Sequence, residues 1–495
     1  MPAILESRGK VLLMQFNSYL FILAVVPAFV LCYFLLSGLN KTAGKLAIIA
    51  FGAWFYAYGG WDSAAILGIS LLVNLLASLA LSGQKRFRKL TLALAVLANV
   101  GLLLYFKYCN FALGTLFALL GKSYTAKNIL LPLGISFFTF QQIMYLVSLY
   151  RGEIRKLNLL DYLCYILYFP KLIMGPLAEP TDFIGQLNQA ERKRIDWENV
   201  ACGVKLFGFG LFKKMILADT FARAVNWGFG NLDSATSGDL FLVTLFYTFE
   251  IYFDFSGYSD MAVGVSQMVN ITLPMNFDSP YKAFSIRDFW KRWHMTLTAF
   301  LTKNVYFPLG GSRKGTIRTY INILAVFLVS GLWHGANWTF LLWGLLHGLL
   351  QVLERIFHKR YERLHGAVKW LYAFIAVNLL WLLFRADSIG QWKEMLTTMF
   401  SFRDMAVSGG LIRSFVLPET AFLLDKLDFL GLNGRIRGLP MLITTLGALL
   451  LCLIPENNYR NLKKLSIPNL LLCAAGFVWA FLSLSSESVF VYFNF

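Results

Sequence analysis

The chain has 495 residues, of which 57% are hydrophobic and only 15% charged, and its mean hydropathy is +0.59. A soluble domain carries about 25% charged residues, so the composition excludes a water-soluble globular fold and implies many membrane crossings. The net charge of +18 excludes less than it suggests, because the cations stand in short clusters between apolar runs (85–89, 192–194, 313–314 and 355–363). That is the pattern of cytoplasmic loops touching anionic lipid, not of a nucleic-acid surface with base-stacking aromatics.

In chain order, the first apolar run follows Arg8 and Lys10. It is too long for a signal-peptide core and lacks a small-residue cleavage site, so we expect a retained first span. The polar residues before Met14 read as a dispensable extension. Spans are expected near 17–36, 44–60, 62–82, 90–107, 129–150, 159–176, 200–218, 239–269, 319–332, 337–353, 367–384, 439–454 and 467–484, about 11 to 13 transmembrane or re-entrant helices in one membrane domain. Polar stretches at about 177–199, 270–318 and 385–438 interrupt them. No internal repeat is visible, which argues against an inverted-repeat transporter. The six cysteines are isolated, with no C-x-x-C, so neither a metal site nor a disulfide framework is expected.

The segment VSGLWHGANWTF (329–340) places His334 inside a run built for lipid. An ionisable group at bilayer depth costs roughly 2.5 kcal/mol or more when charged and is usually kept for a function. Imidazole titrates nearest neutrality and suits proton transfer. Gly331 and Gly335 would let the backbone bend or another segment approach closely. The alternative is a histidine hydrogen-bonded within a helix bundle.

A second histidine closes RDFWKRWH (287–294). Arg287, Lys291 and His294 fall four and three residues apart, which predicts an interfacial helix over 285–298 with one cationic face carrying the histidine. Trp290 and Trp293 fit an aromatic belt at the membrane surface. On that alternative His294 only anchors a surface helix.

Upstream, YFDFSGYSDM (252–261) concentrates Asp254, Ser256, Tyr258, Ser259 and Asp260 in an apolar stretch. A buried carboxylate needs a partner, here a histidine or an arginine, and the serines read as polar glue between helices. In NVYFPLGGSRKG (304–315), Pro308, Gly310 and Gly311 mark a turn followed by cations, either an ordinary cytoplasmic turn or a hold on a phosphorylated donor. GTLFALLGKS (114–123) has six residues between its glycines where a phosphate loop needs four. Neither G-x-S-x-G nor H-E-x-x-H occurs. His358 and His365 sit in a basic loop and read as solvated, and His347 lies in a span as a packing histidine.

YFDFSGYSDMAVG, PMNFDSPYKAFSIRDFWKRWHMTL, YFPLGGSRKG and RTYINILAVFLVSGLWHGANWTFLLWGLLHG together resemble the membrane-bound O-acyltransferase (MBOAT) family, and more closely its bacterial alginate O-acetyltransferase branch. The FNSYLFIL opening (16–23) and the VYFNF ending (491–495) are similar to that branch, so the resemblance spans nearly the whole chain, with its core at about 250–350. IMGPLAEP (173–180) keeps the family's Gly-Pro and departs from the branch after it.

The resemblance implies an all-α polytopic fold, a ring of helices around a thin core with a tunnel, in the bacterial cytoplasmic membrane. It implies His334 as the catalytic histidine and His294 as the second family histidine. Acetyl-CoA or a carrier-bound acyl thioester would enter from the cytoplasm as donor substrate, with no bound cofactor. An extracytoplasmic SGNH-type partner protein would complete transfer onto a polysaccharide. The teichoic acid D-alanyl transfer protein is the second choice within the family.

The chemistry needs a general base to deprotonate a hydroxyl as it attacks the thioester, worth about 10²–10⁴-fold. A neutral His334 could serve, and burial disfavours the charged form. A donor for the oxyanion is needed too, worth about 10²–10³. His294, Trp333 and Asn337 are candidates, with Asp254, Asp260, Arg287 and Lys291 in support. A transporter or flippase with proton-relay histidines is the competing class, and a scaffold that recruits a synthesis complex is a third.

Overall fold

The computed structural model describes residues 14–83, 86–418, 421 and 438–484. Every regular element among them is helical. The segment before Met14, the VYFNF ending and part of the 385–438 stretch lie outside the described residues.

All thirteen expected spans contain a helix. Six helices are long and apolar enough to cross a membrane: Phe21–Leu39, Trp61–Gly83, Arg88–Leu119, Ser237–Met268, Thr316–His334 and Gly366–Arg385. The chain is a multi-pass, all-α membrane protein. Four boundaries differ clearly from expectation, the first being the helix expected at 200–218, which runs on through a π-turn to Gly230. The helix expected at 90–107 runs on through a π-turn to Leu119. The one expected from 129 starts only at Ile135, because Gly134 precedes it at φ 64° and Pro132 cannot donate to a helix. The one expected over 159–176 stops at Leu167 and resumes only as Phe169–Leu172, with Pro170 in its first turn. Proline has no amide to continue the earlier ladder.

Two compact units emerge. The first comprises Met1–Gly208, Tyr258–Pro274 and Leu462–Ala474. Its core is aromatic: Phe16 stacks on Phe21 at 4.4 Å and on Tyr258 at 4.8 Å between ring centroids, so the FNSYLFIL opening is a core element. Gly52 lies so close to Leu167 that a Cβ would stand 1.7 Å from its carbonyl oxygen. Inside the apolar helices, Asn74 and Asn99 exchange side-chain hydrogen bonds at 3.1 and 2.7 Å, which satisfies two amides where water is absent. Lys45 pairs with Asp161, and Lys171 gives its ammonium to Gln141 at 2.6 Å and lies 3.9 Å from the Tyr165 ring centroid.

The second unit comprises Phe209–Gly257, Met275–Asn461 and Ala475–Phe495. It holds all five histidines. Its centre is the pair Thr316–His334 and Trp338–Ile356, packed with Gly366–Arg385 and with the short helix Ile286–Arg292, against which a second short helix, Met295–Leu301, packs in turn. The paired helices approach closely at glycines. A Cβ on Gly331 would meet the Phe340 carbonyl oxygen at 2.3 Å, and one on Gly344 would meet that of Phe327 at 2.3 Å. Gly331 and Gly335, and Gly344 and Gly348, are each four apart, the small-residue spacing that lets apolar helices pack backbone to backbone.

Candidate active site

His334 is the last residue of its helix. Gly335 turns extended at φ −168° and lies under the Phe340 ring, where a Cβ would come within 2.0 Å. Asn337 then caps the next helix, accepting from the Thr339 amide at 3.1 Å and donating to the Asp387 carbonyl at 2.9 Å. The close turn holds the His334 ring in an aromatic box. Its centroid lies 4.8 Å from Trp333, 5.2 Å from Trp343 and 5.1 Å from Phe384. The residue is only 3% exposed.

The surroundings of His294 differ from the expected continuous helix. Ser285 caps Ile286–Arg292, accepting from the Asp288 amide at 2.9 Å, and that helix ends before Trp293. His294 itself is left-handed (φ 44°, ψ 51°), and Met295–Leu301 begins after it. A side-chain-bearing residue in that region costs on the order of 1–3 kcal/mol and is held only by its surroundings. Asn276 supplies the hold. Its carbonyl accepts from the Met295 amide at 3.0 Å, and its side-chain oxygen accepts from the Thr296 hydroxyl at 2.7 Å. The Asp278 amide donates to the Arg292 carbonyl at 2.9 Å.

The break turns the residues apart. His294 is fully buried, whereas Arg287 and Lys291 are exposed, so no single cationic face carries the histidine. Trp290 and Trp293 are buried too, 5% and 1% exposed, and belong to the core, not to an interfacial belt. The reason is tertiary: contacts with Asn276 and the aromatic cluster outweigh the local helical spacing.

The His294 ring packs 4.8 Å from Phe255 and 6.0 Å from Trp333. Trp333 therefore touches both His294 and His334. Burial pushes the His294 imidazole, in a turn outside the spanning helices, down to about 3, which keeps it neutral. Its Nδ1 lies 3.3 Å from Asn276 Oδ1, an atom that already accepts from Thr296. Neutral His294 thus carries its hydrogen on Nδ1 and presents a lone pair at Nε2, an atom with no hydrogen-bond partner among the described residues.

A third histidine joins them. His347 is fully buried, 4.8 Å from Trp343 and 5.1 Å from Trp290, and its Nδ1 accepts from Trp290 Nε1 at 3.2 Å. Trp343 thus packs against both His334 and His347, and its indole N–H, buried, has no partner among the described residues. His358 and His365 are exposed, as their loop composition implied.

Of the other candidates, Asp254 is fully buried and pairs with Lys214 at 2.8 Å, so its partner is a lysine. Lys214 also binds Asp219 at 2.8 Å. Asp260 is buried within the first unit. The Ser256 and Ser259 hydroxyls find no hydrogen-bond partner among the described residues. Asn276, Trp343, Phe255 and Phe384 were not singled out from the sequence. Asn276 sits in the quoted PMNF segment, but only folding brings it to a histidine 18 residues later.

A neutral imidazole at His294 with a lone pair at Nε2, and a buried imidazole at His334 in an aromatic box, are groups able to move a proton to and from a small reacting group. These histidines stand on an all-helical, multi-pass scaffold. The chain matches the model of the MBOAT, membrane-bound O-acyltransferase family, over residues 84–389, and it belongs to that family. It is an O-acyltransferase, which sets the transporter class aside.

It is 34% identical to a peptidoglycan O-acetyltransferase of Helicobacter pylori across 100% of both chains. It is 34% identical to the probable alginate O-acetylase of Azotobacter vinelandii over 80% of each chain. It is 29% identical to a teichoic acid D-alanyltransferase of Bacillus subtilis over 49% of this chain and 63% of that one.

Proposed function

We propose that the chain moves an acetyl or similar acyl group from a cytoplasmic thioester, acetyl-CoA or a carrier-bound acyl group, to a hydroxyl of an extracytoplasmic polysaccharide or of a partner protein. Two histidines against one indole ring, His294 and His334 on Trp333, carry this reading. The reaction breaks the thioester C–S bond and forms an ester C–O bond. The hydroxyl proton ends on the leaving thiol, so no outside acid or base is consumed. His334 takes that proton as the hydroxyl attacks and returns it to sulfur. His294, with its lone pair at Nε2, accepts a hydrogen bond from the reacting hydroxyl or thiol. The oxyanion then falls to an N–H of Trp333, Trp343 or Asn337.

The expected family tunnel would let donor and acceptor meet from opposite faces, with His334 within. The full-length likeness to a peptidoglycan O-acetyltransferase makes a cell-wall glycan the first acceptor to try, and an alginate-like polymer the second. An SGNH-type partner outside the membrane would complete transfer to the polymer. D-alanyl transfer ranks behind acetyl transfer because the likeness covers half of the chain.

His334→Ala should abolish polymer O-acylation while the protein inserts at normal levels. Losing such a base should cost about 10²-fold or more. Ester content above about a tenth of wild type at matched expression rules out the general-base role.

A further inference from the structure

The seven-residue helix Ile286–Arg292 delivers the chain to His294, and it is tied to the Trp338–Ile356 helix at two points. At its start, the amides of Ile286 and Arg287 donate to the two carboxylate oxygens of Glu354, at 2.6 and 3.2 Å. In its second turn, Trp290 Nε1 donates to His347 Nδ1 at 3.2 Å. His347 and Glu354 are seven residues apart, two turns along one face of one helix. That helix is the second arm of the hairpin whose first arm ends in His334.

We propose that Glu354 and His347 form a two-point clamp that sets the position of His294 against His334. His347 is then a positioning residue, not a catalytic one. The proposal rests on the reading above that these two histidines serve one reaction. A helix of seven residues does not hold its own shape in isolation. The left-handed turn at His294 is strained and persists only if both flanks are fixed. Asn276 fixes the far flank, and the clamp fixes the near one. The bond also fixes chemistry at His347. Because Nδ1 accepts, a neutral ring must carry its hydrogen on Nε2, so it has no free lone pair with which to act as a base. A misplacement of about 1 Å at a reacting group can cost about 10²-fold in rate, so a clamp of this kind matters for turnover more than for binding.

The test uses the full chain in lipid nanodiscs and compares Trp290→Phe, His347→Phe, their double variant, His347→Asn and Glu354→Gln. Asparagine places an oxygen near the Nδ1 position and keeps the acceptor. Two quantities are read: kcat and KM for acyl transfer, and amide hydrogen exchange over 286–301 without substrate. The clamp predicts that each Phe variant loses about 10-fold or more in kcat with KM within about threefold. The double variant should lose no more than the worse single one, and His347→Asn should recover most of the rate. Exchange over 286–301 should quicken in both Phe variants, and Glu354→Gln should quicken it at Ile286 and Arg287.

Wild-type kcat in His347→Phe, losses that multiply in the double variant, or unchanged exchange would overturn the clamp. If the Phe variants fail to insert, His347→Asn and Glu354→Gln decide it by the same two readouts. Exchange needs no activity, so an active His334→Ala protein, which would end the two-histidine reading, leaves the clamp's own test standing.

Discussion

At the scale of single residues, the account turns on where imidazole hydrogens sit. Asn276 Oδ1 takes a hydrogen from His294 Nδ1 and from the Thr296 hydroxyl, so one side chain fixes both a tautomer and a strained turn. His294→Ala should lower turnover strongly, by about 10-fold or more, and Asn276→Ala should do the same, as it releases both. Ester formation at matched expression measures each. Near-normal turnover in both His294→Ala and His294→Gln would remove His294 from the site and leave His334 with a backbone or indole donor. The two histidines were legible in sequence to different degrees. His334 stood out because an imidazole in a lipid-like run needs a reason. His294 was visible as a residue, but its setting was not. The steps of four and three in RDFWKRWH describe a helix that the fold breaks, and the cause, Asn276, lies 18 residues upstream. Trp290 and Trp293 misled for a related reason. Indoles beside cations fit a membrane surface equally well until the partners, His347 and Trp381, are seen.

At the scale of elements, the hairpin Thr316–His334 with Trp338–Ile356 is held by glycine contacts that leave no room for a methyl group. Gly344→Ala would press a Cβ against the Phe327 carbonyl, and overpacking of this kind costs about 1–3 kcal/mol. The melting midpoint in detergent should fall by several degrees and activity with it. Gly447→Ala, where nothing lies within 4 Å, should leave both unchanged. Equal behaviour of the two variants would contradict the packing argument. Hydropathy placed a helix within every expected span, and six helices are long and apolar enough to cross a membrane. It missed the interruption at Pro170, the late start at Ile135 and the extension to Leu119, since each is a matter of backbone donors and turns within a run that is apolar throughout. The carboxylates show the same limit. That Asp254 needs a partner followed from burial, but that the partner is Lys214, on a π-turn 40 residues earlier, did not.

At the scale of the whole molecule, membership of the acyltransferase family and the alignment of basic clusters with helix ends predict an orientation. The loops at 83–89 and 355–363 should both be cytoplasmic. Single cysteines placed there should resist an impermeant thiol reagent added to intact cells and react after permeabilisation, and labelling of both from outside would reverse the topology. On the proposed function, donor and acceptor then stand on opposite sides of one membrane. The most direct measurement therefore encloses labelled acetyl thioester on the cytoplasmic face of sealed vesicles carrying the purified chain, and supplies the partner protein and glycan acceptor outside. The account predicts labelled ester on the outer acceptor, dependent on the chain and lost at least 10²-fold in His334→Ala. Thioester left intact by the wild-type chain, or ester formed equally well by His334→Ala, would contradict it.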